Sequence, residues 1–302
     1  MKLPNETKQL PVLITLAYFD DEILIKKYFL INIHDIRSNG YDCAAANMWK
    51  SLFYYLKDNV TGTIFAHNLG SFDGFFIYLN LLKFYRNSDK HSSIIDKSNK
   101  FIQIIANIEG RKFTFKDSLR IFAVKLNDFC EAFNVEGKLS EHKPKWSSFD
   151  LFDNEADLNE FINYSVQDSV CLLEALTKAQ IIYYNNYNVD IATIWSTATL
   201  SFKIFRQSFL TVTIPSLSAS LDSYIRSGYF GGATDHYKKY GENLHYYDIN
   251  SLYPSVMLND MPLNYIKFHS ELDNLDNFFG FYLAKIKCPS TIKMPVLLLP
   301  KG

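Results

Sequence analysis

The sequence predicts an α/β fold in two successive parts. Short runs rich in β-branched and aromatic residues alternate with stretches of helical periodicity. An aspartate twice follows an apolar run and opens a helix, at Asp73 and at Asp248. A carboxylate at a strand end, next to helix-start N–H groups, suits metal-assisted phosphoryl chemistry.

Residues 11–19 (PVLITLAYF) and 23–31 (ILIKKYFLI) read as strands joined by the polar turn Asp20-Asp21-Glu22, a hairpin. A helix is predicted over 43–58, with Ala44, Met48, Leu52 and Tyr55 on one face. Thr63 to Ala66 is a short strand running into His67-Asn68, and helical pattern resumes over 72–86. Strands follow at 101–108 and 112–116, turned by Glu109-Gly110. Lys125 to Phe133 is a short helix, and 138–150 is an irregular loop holding Pro144 and Trp146. Helices are predicted over 155–184 and 190–210, separated by the polar break Tyr183 to Asn188. A strand is expected to end at Tyr247, and two more at 280–288 and 294–299. The predicted domains are residues 1–185 and 186–302.

Bulk properties bound the function. The chain has 302 residues, enough for two domains. No apolar run approaches the ~20 residues that cross a bilayer, so no membrane partner is expected. Met1 to Pro11 lacks the look of a signal or transit peptide. Four cysteines without CxxC pairing predict buried reduced thiols in an intracellular protein. A net charge of −1 weighs against a large DNA-coating surface but leaves room for local basic patches. Phe, Tyr, Ile, Asn and Lys abound while Gly is scarce. Those favoured residues have A/T-rich codons, a compositional hint of an organellar or extrachromosomal genome.

Tyr247-Asp248-Ile249-Asn250-Ser251-Leu252-Tyr253-Pro254-Ser255 resembles motif A of family B DNA polymerases. Pro254 stands where a first helical turn tolerates it. Asn68-Leu69-Gly70-Ser71-Phe72-Asp73 and Tyr164-Ser165-Val166-Gln167-Asp168 resemble that family's second and third exonuclease motifs. The spacing of the latter puts a phenol one helical turn from a carboxylate. Taken singly, a Tyr and an Asp at helical spacing are more often a surface pair, and Phe72 is as readily a core residue. Ser118-Leu119 resembles the motif that contacts the single-stranded primer end in the protein-primed branch, and Tyr229-Phe230-Gly231-Gly232 resembles the linker motif that touches template DNA. Lys238 and Lys239 follow as phosphate partners.

The resemblance implies a ribonuclease-H-like 3′–5′ exonuclease domain, then a helical linker and a partial polymerase palm. By it, Asp73, Tyr164, Asp168 and Asp248 are catalytic, and Asp73, Asp168 and Asp248 hold Mg²⁺ or Mn²⁺. Ser251, Leu252 and Tyr253 would bind the nucleotide, the Tyr253 ring leaving no room for a 2′-hydroxyl. Asn68, Phe72, Ser118, Leu119, Tyr229, Gly231 and Gly232 would bind DNA. A flat aromatic can stack on an unpaired base. Implied partners are template, primer and single-stranded 3′ end, deoxynucleoside triphosphates, and a terminal protein as primer.

Two-metal chemistry needs several carboxylates around ions about 4 Å apart. The family's first exonuclease motif, Asp-x-Glu, is not found: Asp20-Asp21-Glu22 sits in a turn, and Pro4 stands where the Asp belongs before Glu6-Thr7. The fingers lysine motif and the Asp-Thr-Asp hairpin do not occur before Gly302. Both metal sites are therefore expected to be incomplete. Little exonuclease or polymerase activity is expected of this chain alone, which leaves an inactive remnant or a DNA-binding fragment as the rival reading. A mitochondrial or linear-plasmid origin is expected, with viral or cytoplasmic origin as the alternative.

Overall fold

The computed structural model describes residues 10–85, 91–229, 238–262, 267–268, 276 and 278–291. The chain divides into two compact units, residues 1–210 and 211–302.

The first unit opens with strands β1 (Leu13–Asp20) and β2 (Ile23–Leu30), paired antiparallel from Leu13↔Leu30 to Asp20↔Ile23. Asp21 and Glu22 both have positive φ, 44° and 69°, the signature of a tight hairpin turn whose twist matches its strands. Asp20-Asp21-Glu22 is thus accounted for by the hairpin.

Helix α1 (Ile33–Asn39) is capped by the Asn32 side chain, and α2 (Tyr41–Asn59) follows across Gly40, whose φ is +82°. Sequence patterning did not mark α1, which is seven residues long and has no buried face. The apolar stripe of α2 buries Ala44, Met48, Trp49, Leu52, Phe53 and Leu56. These pack with Phe29, Ile31, Leu81 and Ile104 into the main core.

Strand β3 (Thr63–Ala66) leads to helix α3 (Asp73–Phe84), then β4 (Ser92–Ile95), β5 (Phe101–Ile108) and β6 (Arg111–Asp117). The sheet order is β3-β6-β5-β4. Only β3 and β6 run parallel among its pairs, ending together at Ala66↔Asp117. β5 is covered on both faces, which explains its nearly continuous apolar sequence.

The first unit continues through α4 (Ser118–Ile121) and α5 (Leu126–Ala132), then two 3₁₀ turns at Pro144–Ser147 and Phe149–Asp153. Trp146 anchors the first turn against Tyr164, with ring centroids 4.9 Å apart. Helix α6 (Glu155–Tyr187) starts at an Asn154 cap and stops at Asn188, a left-handed residue with φ +52°. It lies on β1, where the Thr15 hydroxyl donates to the Ser165 carbonyl at 3.0 Å.

The helix predicted over 190–210 differs. Asp190 caps a 3₁₀ turn at Ile191–Thr193, and Ser196 caps a separate helix α7 (Thr197–Ile204) that relaxes into a π-turn at Phe205–Phe209. Two capping side chains within seven residues break the segment where apolar periodicity alone reads through. Val189, Ile194 and Leu200 bury against Ile121, so this segment belongs to the first unit.

In the second unit, helices α8 (Ala219–Ser227) and α9 (Leu252–Met257) form. The strands predicted before Asp248 and at 280–288 do not. Leu244, Tyr246, Tyr247 and Leu283 are each more than 80% exposed, and those segments have no ladder partner among the described residues. A strand pattern without a neighbouring strand is not stable in water. The predicted strand 294–299 lies outside the described residues. All four cysteines are free; Cys130 and Cys171 are buried as expected, whereas Cys43 and Cys288 are exposed.

Candidate active site

The site in the first unit grows from the paired ends of parallel strands β3 and β6. Ligands of α/β sheets bind outside such carboxyl ends. After Ala66 the chain loops through His67–Phe72 before α3 begins at Asp73. Asn68 is exposed, with φ +77°, a left-handed conformation that Asn tolerates. Phe72 is 45% exposed and meets Phe76 edge-on at 5.3 Å, so part of its ring faces solvent.

Three backbone N–H groups converge on the Asp117 carboxylate. Asn68 N and Leu119 N donate to Oδ1 at 2.9 and 3.0 Å, and Gly70 N donates to Oδ2 at 2.9 Å. Beside it, His67 Nε2 lies 2.9 Å from the Val124 carbonyl. That carbonyl only accepts, so Nε2 carries the proton and Nδ1 accepts from Ser118 Oγ at 3.1 Å. Burial holds the imidazole below its ordinary pKa, which agrees with a neutral ring. Ser118 is fully buried and its hydroxyl is engaged by this loop; Leu119 is half-buried.

Burial pushes the Asp73 carboxyl up to about 6, and the Asp117 charge adds to the effect. On α6, Tyr164 and Asp168 stand one turn apart. Lys138 Nζ approaches Asp168 Oδ2 at 3.5 Å and sits 5.8 Å from the Tyr164 ring centroid. Burial alone would lower the Lys138 ammonium, but Asp168 and Tyr164 outweigh it and its pKa ends raised. At Asp168 burial wins instead, so that carboxyl is raised despite Lys138. Its Oδ1 is buried without a hydrogen-bond partner.

These groups join into one electrostatic run. Asp73 feels Asp117, His67 feels both Asp117 and Lys138, and Lys138 feels Asp168. Sequence reasoning assigned no role to Asp117 or Lys138. Asp117 carried one legible signal, an N-cap type ahead of Ser-Leu; a lone loop lysine carries none.

The orphaned Asp168 oxygen and the raised Asp73 carboxyl both suit a nearby cation. Among the described residues no group of three or more His, Cys, Asp or Glu side chains is placed to hold a metal ion.

In the second unit Asp248 is exposed, two residues before the Asn250–Ser251 turn into α9. Ser251 takes φ +53°, and the Leu252 N–H is already donated to the Ile249 carbonyl at 3.2 Å. Leu252 therefore has no backbone donor free for a phosphate in this conformation. Tyr253 is 65% and Tyr229 is 78% exposed. Gly231 and Gly232 lie outside the described residues.

Residues 56–145 and 137–301 match the family described as DNA polymerase type B, organellar and viral. A probable DNA polymerase of Agaricus bitorquis is 28% identical over 320 residues, covering 91% of this chain and 39% of that protein. One from Podospora anserina is 36% identical over 240 residues, covering 67% and 20%. The DNA polymerase of Streptococcus phage Cp-1 is 28% identical, covering 83% and 45%. This chain thus spans less than half the length of each of these relatives. Among solved structures, phi29 DNA polymerase with primer-template DNA and incoming nucleotides overlaps 74% of this chain and 39% of its own at 19% identity, with a TM-score of 0.45. No helix among the described residues is long and apolar enough to cross a membrane. The match runs through the Asn68–Asp73 loop, the Tyr164–Asp168 turn and the Asp248 segment alike, and the chain belongs to the organellar and viral type B DNA polymerase family.

Proposed function

We propose that the protein is a DNA-directed DNA polymerase of the protein-primed type, and that this chain carries its single-stranded 3′-end site and the first palm aspartate. The observation that carries the reading is the Asn68–Asp73 loop, whose Asn68 and Gly70 N–H groups are gathered by the Asp117 carboxylate at 2.9 Å, with Asp168 held 3.5 Å from Lys138 in the other motif. It forms at the ends of two parallel strands, inside a family match that continues past Asp248. The first unit is read as a ribonuclease-H-like exonuclease region, and residues 211–302 as linker and early palm.

In this reading Asn68 hydrogen-bonds, and the exposed face of Phe72 stacks on, the last bases of a frayed strand. Ser118 acts through the loop it buttresses, since its hydroxyl faces His67. Asp73 and Asp168 would hold Mg²⁺ or Mn²⁺, which supplies a Lewis acid to a phosphodiester. Tyr164 stands one helical turn from Asp168, and Lys138 neutralises Asp168 on the side away from the orphaned oxygen. Asp248, Ser251 and Tyr253 would meet the incoming deoxynucleoside triphosphate. The partners are template and primer DNA and a terminal protein, in an organellar, linear-plasmid or viral setting.

A second reading, DNA binding without catalysis, is favoured by one observation: the described residues complete no donor set of three or more side chains. Digestion of 5′-labelled single-stranded DNA with magnesium or manganese separates the two. Stepwise loss of 3′ nucleotides that disappears in Asp73→Ala and Asp168→Ala supports the exonuclease. Binding without digestion supports the second reading, and failure of the chain to bind single strands sinks both.

A further inference from the structure

We propose that Asp117 is a positioning residue: its buried carboxylate holds the His67–Phe72 loop in the conformation that presents Asn68 and Asp73 to a single-stranded 3′ end. This rests on the site reading above and goes beyond it, because the family motifs assign roles to Ser118 and Leu119 but none to their neighbour.

The argument is geometric. Asp117 ends β6 and is 5% exposed. A carboxylate this deep is costly unless its oxygens are hydrogen-bonded. Both are bonded, and to three N–H donors. Two of the donors, Asn68 and Gly70, lie 49 and 47 residues earlier in the chain, in the loop that follows a different strand. The third, Leu119, opens α4 and makes Asp117 its N-cap. One side chain therefore ties together the loop bearing Asn68 and the turn bearing Ser118 and Leu119, the two segments assigned to grip the strand.

The loop needs an external hold. Asn68 sits in the left-handed region, which Asn tolerates but which few loops hold without a partner for the backbone N–H. Gly70 is pressed so closely that an added Cβ would lie 2.5 Å from the Phe101 carbonyl oxygen and 3.2 Å from Asp117 Oδ2. The bond at the Asn68 N–H fixes the backbone from which its side-chain amide projects, and Asp73 follows five residues later. The same three N–H groups form a concavity that would suit an anion. Asp117 fills it, so in this structure the loop backbone offers no phosphate site there and the side chains must make the grip.

The test uses the whole 302-residue chain. Asp117→Asn keeps an oxygen toward Asn68 and Leu119 but turns an amide N–H toward the Gly70 N–H. Gly70→Ala disturbs the same contact from the loop side without touching the charge, and carries the test if Asp117→Asn does not fold. Binding of a 5′-fluorescein oligothymidylate in EDTA is read by anisotropy, alongside hydrogen exchange of the 67–72 amides and urea melting. Expected for either variant is faster exchange at Gly70 and about tenfold weaker binding, with a lowered urea midpoint but a still cooperative transition. Asn68→Ala and Phe72→Ala should weaken binding while leaving exchange alone. Faster loop exchange with unchanged affinity overturns the proposal, as does weaker binding with unchanged loop exchange. If the parent, or Asn68→Ala and Phe72→Ala together, shows no dependence on these side chains, the site reading falls and takes the proposal with it.

Discussion

Asp73 holds its proton more tightly in the folded chain than a free aspartate does. Its pKa stands at about 6 against 3.8, first because it is buried and then because Asp117 is near. A raised folded pKa means the folded state binds the extra proton. That stabilisation is full below about pH 4 and lost as pH rises through 6. Replacing Asp73 with Asn removes the ionisation. The variant should therefore gain on the parent between pH 5 and pH 7.5, by about 2 kcal/mol at most. Urea melts at the two pH values check this; a constant gap would contradict the burial account. Lys138 gives a second expectation. Lys138→Met leaves Asp168 with one buried orphan oxygen and no cation opposite the other. Loss of about 1–3 kcal/mol is expected at pH 7, and little at pH 3, where Asp168 is protonated in either protein.

Helix α6 shows what a single element contributes. Its Asn154 cap accepts from Ala156 N and Asp157 N at 3.0 and 3.2 Å. Asn154→Ala should cost about 1 kcal/mol, visible as a lowered urea midpoint with an unchanged slope. Elements of this kind were legible in the sequence. The β1–β2 hairpin, α2, β3, α3, β5, β6 and α6 all announce themselves through periodicity bounded by turn and cap residues. The segment after Asn188 was not, because Asp190 and Ser196 cut a continuous apolar pattern by local hydrogen bonds. Strand patterns before Asp248 and after Gly280 misled for the opposite reason: alternation marks a face to be covered, but a ladder also needs a neighbour. For the candidate site, the motifs single out Asn68, Phe72, Asp73, Tyr164, Asp168 and Asp248 from the sequence alone. Asp117 and Lys138 escaped, because their partners lie tens of residues away in the chain and only the fold brings them together.

The two units contrast as whole bodies. Every buried residue among those described lies at or before Leu200, whereas beyond Leu210 none is buried. Leu244, Leu258 and Leu283 are each more than 80% exposed, apolar surface that elsewhere marks a contact or an aggregation liability. Native-state hydrogen exchange should show β5, β6 and α6 protected and the amides of residues 238–262 exchanging at nearly unprotected rates. The chain expressed alone should also be poorly soluble. Protection after Leu210 equal to that of β5, in a monodisperse monomer, would contradict both expectations.

Thirty-three residues of α6 make a rod of about 50 Å. Tyr164 and Asp168 ride on its leading half, while Tyr183 and Tyr187 on its trailing half rest against Phe122 and the Val189–Leu200 cluster. Fifteen residues, about 22 Å, separate Asp168 from Tyr183. Thr15 bonds Ser165 and Ser169 and so pins the leading half to β1, which leaves the Tyr183 end as a separate anchorage of the same helix. Loss of the Tyr183 anchorage would therefore fray the far end of the helix while the doubly tethered stretch around Asp168 keeps its place.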